Sequence, residues 1–126
     1  MPMPQTILIA VNDPNIIYLL QRYAEESGFD SVRANSGEDI LVLAQQSKPR
    51  LIILEIGFPE AAGRDVLRAL KAEPITREIP VVVYSCLDEA FSDYSEDVAG
   101  SLKSVMYADF LAVLENVGMT PERWAQ

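Results

Sequence analysis

Residues 51–59 read Leu51-Ile52-Ile53-Leu54-Glu55-Ile56-Gly57-Phe58-Pro59. Four consecutive apolar side chains do not alternate between core and solvent, so the run suits a strand buried on both faces, as in a parallel sheet covered by helices. It ends in a carboxylate and enters a glycine and proline turn. Glu55 therefore belongs at the carboxyl end of a central strand, the edge on which α/β folds bind ligands.

Working outward, the hydrophobic period switches repeatedly between strand-like runs and helical stripes, the pattern of an α/β chain. Upstream, Thr6-Ile7-Leu8-Ile9-Ala10-Val11 is a second continuous apolar run, followed by Asn12-Asp13-Pro14 and then Ile16, Ile17, Leu19, Leu20, Tyr23 and Ala24 at helical spacing. Pro14 suits a first helical turn and Gly28 a helix stop. Ser31 to Ala34 is a weaker strand. Ser36-Gly37-Glu38-Asp39 resembles a capping box with Asp39 in the glutamate place, opening a helix that runs toward Pro49. Downstream, Val66, Leu67 and Leu70 mark a helix that must end near Pro74, and Ile79 to Tyr84 is a fourth strand. The acidic stretch from Leu87 to Asp97 predicts a short helix or an irregular segment, and Val98 to Leu102 a brief fifth strand. Tyr107, Phe110, Leu111, Val113, Leu114 and Val117 mark a final helix with Gly118 as its stop.

The 126 residues, 49% of them apolar, suit one domain, expected over 1–118 with a short tail over 119–126 and no output domain. The chain carries 19 acidic and 10 basic residues, no histidine and a net charge of −9, which repels a phosphate backbone and argues against direct nucleic-acid binding. Cys86 is the one cysteine, so no internal disulfide forms. It reads as a small packing residue rather than a redox centre. No apolar stretch has the length of a membrane span. A cytoplasmic location is expected.

Parallel strands put their carboxyl ends on one side, so Asn12, Asp13, Glu55, Ser85 and Lys103 are expected on one edge of the sheet. Two carboxylates beside a lysine and a hydroxyl suit a hard divalent cation and an oxyanion.

At this point the chain resembles a response-regulator receiver domain of two-component signalling. Ile7 to Asp13 is similar to the family's opening strand and acidic pair, and Leu51 to Gly63 to its phosphoacceptor strand and the loop that follows. Val81-Val82-Val83-Tyr84-Ser85 matches the strand whose terminal Thr or Ser senses the phosphoryl group, and Lys103 matches the lysine that holds it. The resemblance implies a flavodoxin-like, doubly wound, five-stranded parallel sheet of order 2-1-3-4-5 with helices on both faces. It also implies a Mg²⁺ site at Asp13, Glu55 and Gly57, with Asn12 behind them, where binding is expected to be weak or absent.

Several positions depart from the family pattern. Asn12 replaces the first acid of the pair, Glu55 stands at the acceptor position, and Ser104 replaces the usual proline. Gly100 stands where the family commonly has a switch aromatic, so Gly100, Ser104 and Tyr107 mark the altered switch and partner face. Only 17 residues separate Ser85 from Lys103, which implies a shortened fourth helix, between the fourth and fifth strands. Glu55 adds a methylene that moves its carboxylate toward Ser85 and Lys103. There it either imitates a phosphoryl group, with roughly half the charge, or forms a static pair with Lys103.

The expected function is therefore a stand-alone pseudo-receiver. It is not an enzyme, but a phosphorylation-independent or constitutively phosphomimetic protein-interaction module whose partner is a histidine kinase or a downstream effector. Docking is expected through the segment from Leu87 to Leu114, whose acidic run favours basic partners. Trp124 and Tyr107 either anchor a partner or cover the core. One alternative is a working response regulator that still accepts phosphate from a histidine kinase. Another is a flavodoxin-like flavin or nucleotide binder, which the acid-bearing, glycine-free first turn Asn12-Asp13-Pro14-Asn15 disfavours.

Overall fold

Alternating residues of the central strands serve two opposite cores, and this explains the continuous apolar runs. The computed structural model describes residues 5–35, 37–55, 63–84, 99–102 and 106–119. Its elements are β1 (Thr6–Ala10), α1 (Pro14–Glu26), β2 (Asp30–Arg33), α2 (Gly37–Ser47), β3 (Leu51–Glu55), α3 (Gly63–Ala72), α4 (Pro74–Arg77), β4 (Val81–Tyr84), β5 (Gly100–Leu102) and α5 (Tyr107–Asn116). All strand pairs are parallel, and the neighbours run β2-β1-β3-β4-β5. This is a flavodoxin-like α/β fold.

On one face of the sheet Ile7, Ile9, Ile53, Val82 and Leu102 pack with Ile17, Leu20 and Ala24 of α1 and Phe110, Val113 and Leu114 of α5. On the other, Leu8, Ala10, Ile52 and Leu54 pack with Ile40 and Ala44 of α2 and Val66, Leu67 and Leu70 of α3. Burying one such leucine or isoleucine contributes about 1.5–3 kcal/mol. Helices on both faces therefore hold β1 and β3 at the centre, and the carboxyl ends of these two strands carry Asp13 and Glu55.

Both glycines expected as helix stops close a helix in the same way. Gly28 and Gly118 have φ of 86° and 79°. After α1, Phe29 N–H donates to the Ala24 carbonyl and Gly28 N–H to the Glu25 carbonyl; after α5, Met119 and Gly118 repeat this with Leu114 and Glu115. These paired bonds form the Schellman closure, which requires the left-handed residue a glycine supplies. Met119, the first residue of the expected tail, is thereby drawn into the core.

Three local features add to the sequence reading. Asp39 accepts a hydrogen bond from Asn35 N–H at 3.1 Å, one residue before the Ser36 of the expected capping box. Toward Pro49, α2 is followed by Lys48 in the left-handed region at φ 47°, a place where glycine is usual. Pro74 does more than follow α3: it opens the single turn α4. Thr76 Oγ1 donates to the Leu70 carbonyl at 2.7 Å, and Lys71 Nζ donates to the carbonyls of Arg77 and Ile79, both at 3.2 Å, which ties this turn to α3. The shortened helix expected between β4 and β5 falls in 85–98, outside the described residues.

Candidate functional site: the carboxyl edge of β1 and β3

The parallel register decides which polar groups meet. Ala10 pairs with Leu54, Glu55 with Tyr84, and Tyr84 with Leu102, so β1, β3, β4 and β5 end within a residue or two of one another. Glu55 is the last residue of β3 and is half-buried, whereas Asn12 and Asp13 are exposed just beyond β1.

The Glu55 carboxylate turns toward β1. Its Oε1 accepts a hydrogen bond from the backbone N–H of Asn12 at 2.8 Å. This is a short, charge-assisted bond, of the kind that is about twice as strong as a neutral one. The sequence reading sent this carboxylate toward Ser85 and Lys103, both of which lie outside the described residues. The extra methylene gives glutamate the reach to cross to the neighbouring strand's turn and meet the Asn12 N–H. Asn12 contributes through its peptide, so its loss of charge relative to an aspartate leaves this contact intact.

Asp13 has its own task. It is the N-cap of α1, with extended backbone angles of φ −80° and ψ 118°, and its Oδ1 accepts from Asn15 N–H at 2.8 Å. The Asp13 carbonyl takes the first helical bond, from Ile17 N–H at 3.0 Å, and Pro14 fills the position that needs no donor. Sequence reasoning placed Asp13 first as a metal or lysine partner and second as a cap; the structure assigns it the capping bond.

These two carboxylates do not by themselves fit a Mg²⁺ ion. Mg²⁺ takes near-octahedral oxygen coordination completed by further oxygens; one oxygen of each carboxylate holds a backbone N–H of the same turn, which leaves the other for a ligand. Among the described residues no three acidic, histidine or cysteine side chains converge as metal ligands. Gly57, Ser85, Lys103 and Ser104 lie outside the described residues, as do Cys86, the acidic run and Trp124. Gly100 opens β5 opposite Val82, and a side-chain carbon added there would meet nothing within 4 Å.

Tyr107 belongs to the contact between helices. Its ring lies 4.9 Å from that of Tyr23, whose ring is in turn 5.5 Å from Phe110, and its hydroxyl is 3.5 Å from Ser27 Oγ. It is half-buried against the α1 and α5 core. The outer face of α1 carries exposed Tyr18, whose hydroxyl accepts from Arg22 at 3.2 Å, and Arg22 approaches Glu26 at 3.7 Å. The Tyr18 contact, with a smaller contribution from Glu26, raises the Arg22 pKa further above its ordinary value.

The profile of the response regulator receiver domain matches residues 7–99, a span that includes β1 through β4 and the turn after β1. The chain belongs to this family. The chain is 33% identical over 89 residues to the alkaline phosphatase synthesis transcriptional regulatory protein PhoP of Bacillus subtilis, a match covering 71% of this chain and 36% of that protein. It is 32% identical over 80 residues to the polar-differentiation response regulator DivK of Brucella anthropi, covering 64% of this chain and 65% of that one. Thus it spans about a third of the first relative and just under two-thirds of the second. Among solved structures, the chemotaxis response regulator CheY4 of Vibrio cholerae superposes with a TM-score of 0.80 at 17% identity, over 91% of this chain and 99% of that one. The N-terminal domain of a response regulator receiver protein from Methanoculleus marisnigri superposes with 0.70 at 26% identity, over 89% and 94%. Among the described residues no receiver helix is long and apolar enough to cross a membrane.

Proposed function

We propose that this receiver domain works in two-component signalling as a phosphorylation-independent protein-interaction module, with Glu55 at the position of the phosphoacceptor aspartate. The observation that carries the reading is the 2.8 Å bond from Asn12 N–H to Glu55 Oε1. A phosphoacceptor carboxylate needs a free oxygen in line with its donor, and small misplacements are costly in such transfers. Here one oxygen is held from the side, which fixes the direction of the other, and the carboxylate is a methylene further from the strand, so the in-line geometry set for an aspartate is displaced. This orientation favours a fixed arrangement over imitation of a phosphoryl group, which would have to project toward Ser85 and Lys103. The partner is a histidine kinase or an effector of the same signalling class, and metal is not required for the fixed state. Exposed Met106, just before α5, and Gly100 at the start of β5 lie within the segment from Leu87 to Leu114 through which docking is proposed.

The test is a two-dimensional amide NMR titration of the unmodified protein with Mg²⁺ and then beryllofluoride. The expected result is an unchanged spectrum at Asp13, Glu55, Ser85 and Lys103. Saturable beryllofluoride-dependent shifts that spread into α5 would identify a working receiver and overturn the proposal.

A further inference from the structure

We infer that Glu55 is a positioning residue for the first helix, its carboxylate fixing the turn from which α1 starts. The inference rests on the family position proposed above but uses different observations. Glu55 Oε1 holds the peptide N–H of residue 12, and residue 13 is the N-cap of α1. No freely rotating segment separates the two contacts. Val11 on one side and Ile17 on the other are buried, at 1% and 2% exposure, so the intervening turn is clamped between core residues. Moving the Glu55 carboxylate must therefore either leave the Asn12 N–H without its partner or carry the N-cap with it.

The far end of α1 is also tied. Its C-cap residue Ser27 is fully buried and lies 3.5 Å from the Tyr107 hydroxyl, while Tyr23 packs on the Tyr107 ring. The first helix is thus connected to β3 at its start and to α5 at its end. A displacement at Glu55 has a continuous packed route into α1, on the side of the sheet that also carries α5. Gly100, lacking a side chain, supplies no comparable link from β5.

The experiment compares the unmodified protein with Glu55→Gln, Glu55→Asp and Glu55→Ala by amide shifts and amide exchange at Asn12, Asn15 and Ile17. Glutamine keeps an oxygen at the same reach, so Asn12 stays protected and α1 shifts stay close to those of the unmodified protein. Aspartate is a methylene too short and alanine has no acceptor, so both release Asn12, with exchange on the order of tenfold faster and shift changes that extend along α1 to Ile17. Equal Asn12 exchange in all four proteins would overturn the inference, as would changes in the alanine variant confined to β3 and β4. Rescue by glutamine separates positioning from charge, since that variant removes the charge and keeps the acceptor. Beryllofluoride added to the unmodified sample tests the functional proposal independently: a response there would count against a fixed receiver while Asn12 exchange still decides the positioning role.

Discussion

Replacing Asp13 by alanine distinguishes a capping carboxylate from a metal-binding one by the sign of the stability change. An acidic group kept for a cation repels its neighbours when the cation is absent, so its removal in metal-free buffer stabilises the fold. A capping group does the reverse. The Asp13 Oδ1 bond to Asn15 N–H is 2.8 Å long and supplies a partner for a donor that the helix itself leaves unsatisfied. Its loss should cost about 1 kcal/mol, within a range of roughly 0.5–2 kcal/mol for such caps. For a chain of 126 residues this corresponds to a fall of about 4 °C in Tm. Asp13→Asn keeps an oxygen in the same place and should stay within a few tenths of a kcal/mol of the unmodified protein. The assay is urea unfolding in EDTA, followed by circular dichroism, on all three proteins with a common m-value. An Asp13→Ala protein equal to or more stable than the parent would refute the capping argument and return Asp13 to the cation.

Two further sets of substitutions test the backbone and the core. At Gly118, φ is 79° and nothing lies within 4 Å of an added Cβ, so Gly118→Ala should cost about 1–2 kcal/mol from backbone strain alone; Gly100→Ala, with the same open space and no positive φ, should be neutral or stabilise by up to about 1 kcal/mol in the same denaturation assay. Ile53 is fully buried in the core beneath α1 and α5, so Ile53→Ala should cost roughly 2–5 kcal/mol in chemical denaturation; a loss below 1 kcal/mol would show that this face repacks freely.

The parts of this fold legible in the sequence are those fixed by short-range physics. The runs at Ile7 to Val11 and Leu51 to Leu54 announce strands buried on both sides because no register could expose half of their side chains. Gly28 and Gly118 announce helix ends because the Schellman closure calls for a left-handed residue. The same reasoning stops at Lys48, which takes that conformation without being glycine, directly before Pro49. It also stops at α4, where Pro74 reads equally as the end of one helix and the first position of another. Lys71 and Thr76 settle that choice through contacts with carbonyls several residues away. At the candidate site, sequence order placed Asn12, Asp13 and Glu55 on one edge and aimed Glu55 at Ser85 and Lys103, without showing its bond to Asn12 N–H. Its partner is a backbone N–H, a group that every residue except proline carries, so side-chain type gives no signal for it.

The exchange of aspartate for glutamate at this edge has a consequence that charge counting alone misses. The amino end of α1 presents unpaired N–H groups and the positive end of a helix dipole, an environment that stabilises carboxylates. Asp13 and Glu55 both use it, one at Asn15 N–H and the other at Asn12 N–H. Two like charges near one turn would ordinarily call for a cation between them. Here each has a fixed donor, and the neutral Asn12 side chain removes the third carboxylate that would make a cation more valuable. Glutamate, asparagine and the N-cap aspartate are therefore mutually consistent: the two carboxylates are both tied to the peptide geometry of residues 12–15. Restoring one element alone does not reverse this. Asn12→Asp would add a charge beside a bond that does not involve its side chain, and Glu55→Asp would withdraw the carboxylate from Asn12 N–H while Asp13 remained at its cap. Only the double substitution Asn12→Asp with Glu55→Asp both frees an acceptor oxygen and supplies the missing charge, so beryllofluoride binding should recover in that protein rather than in either single variant.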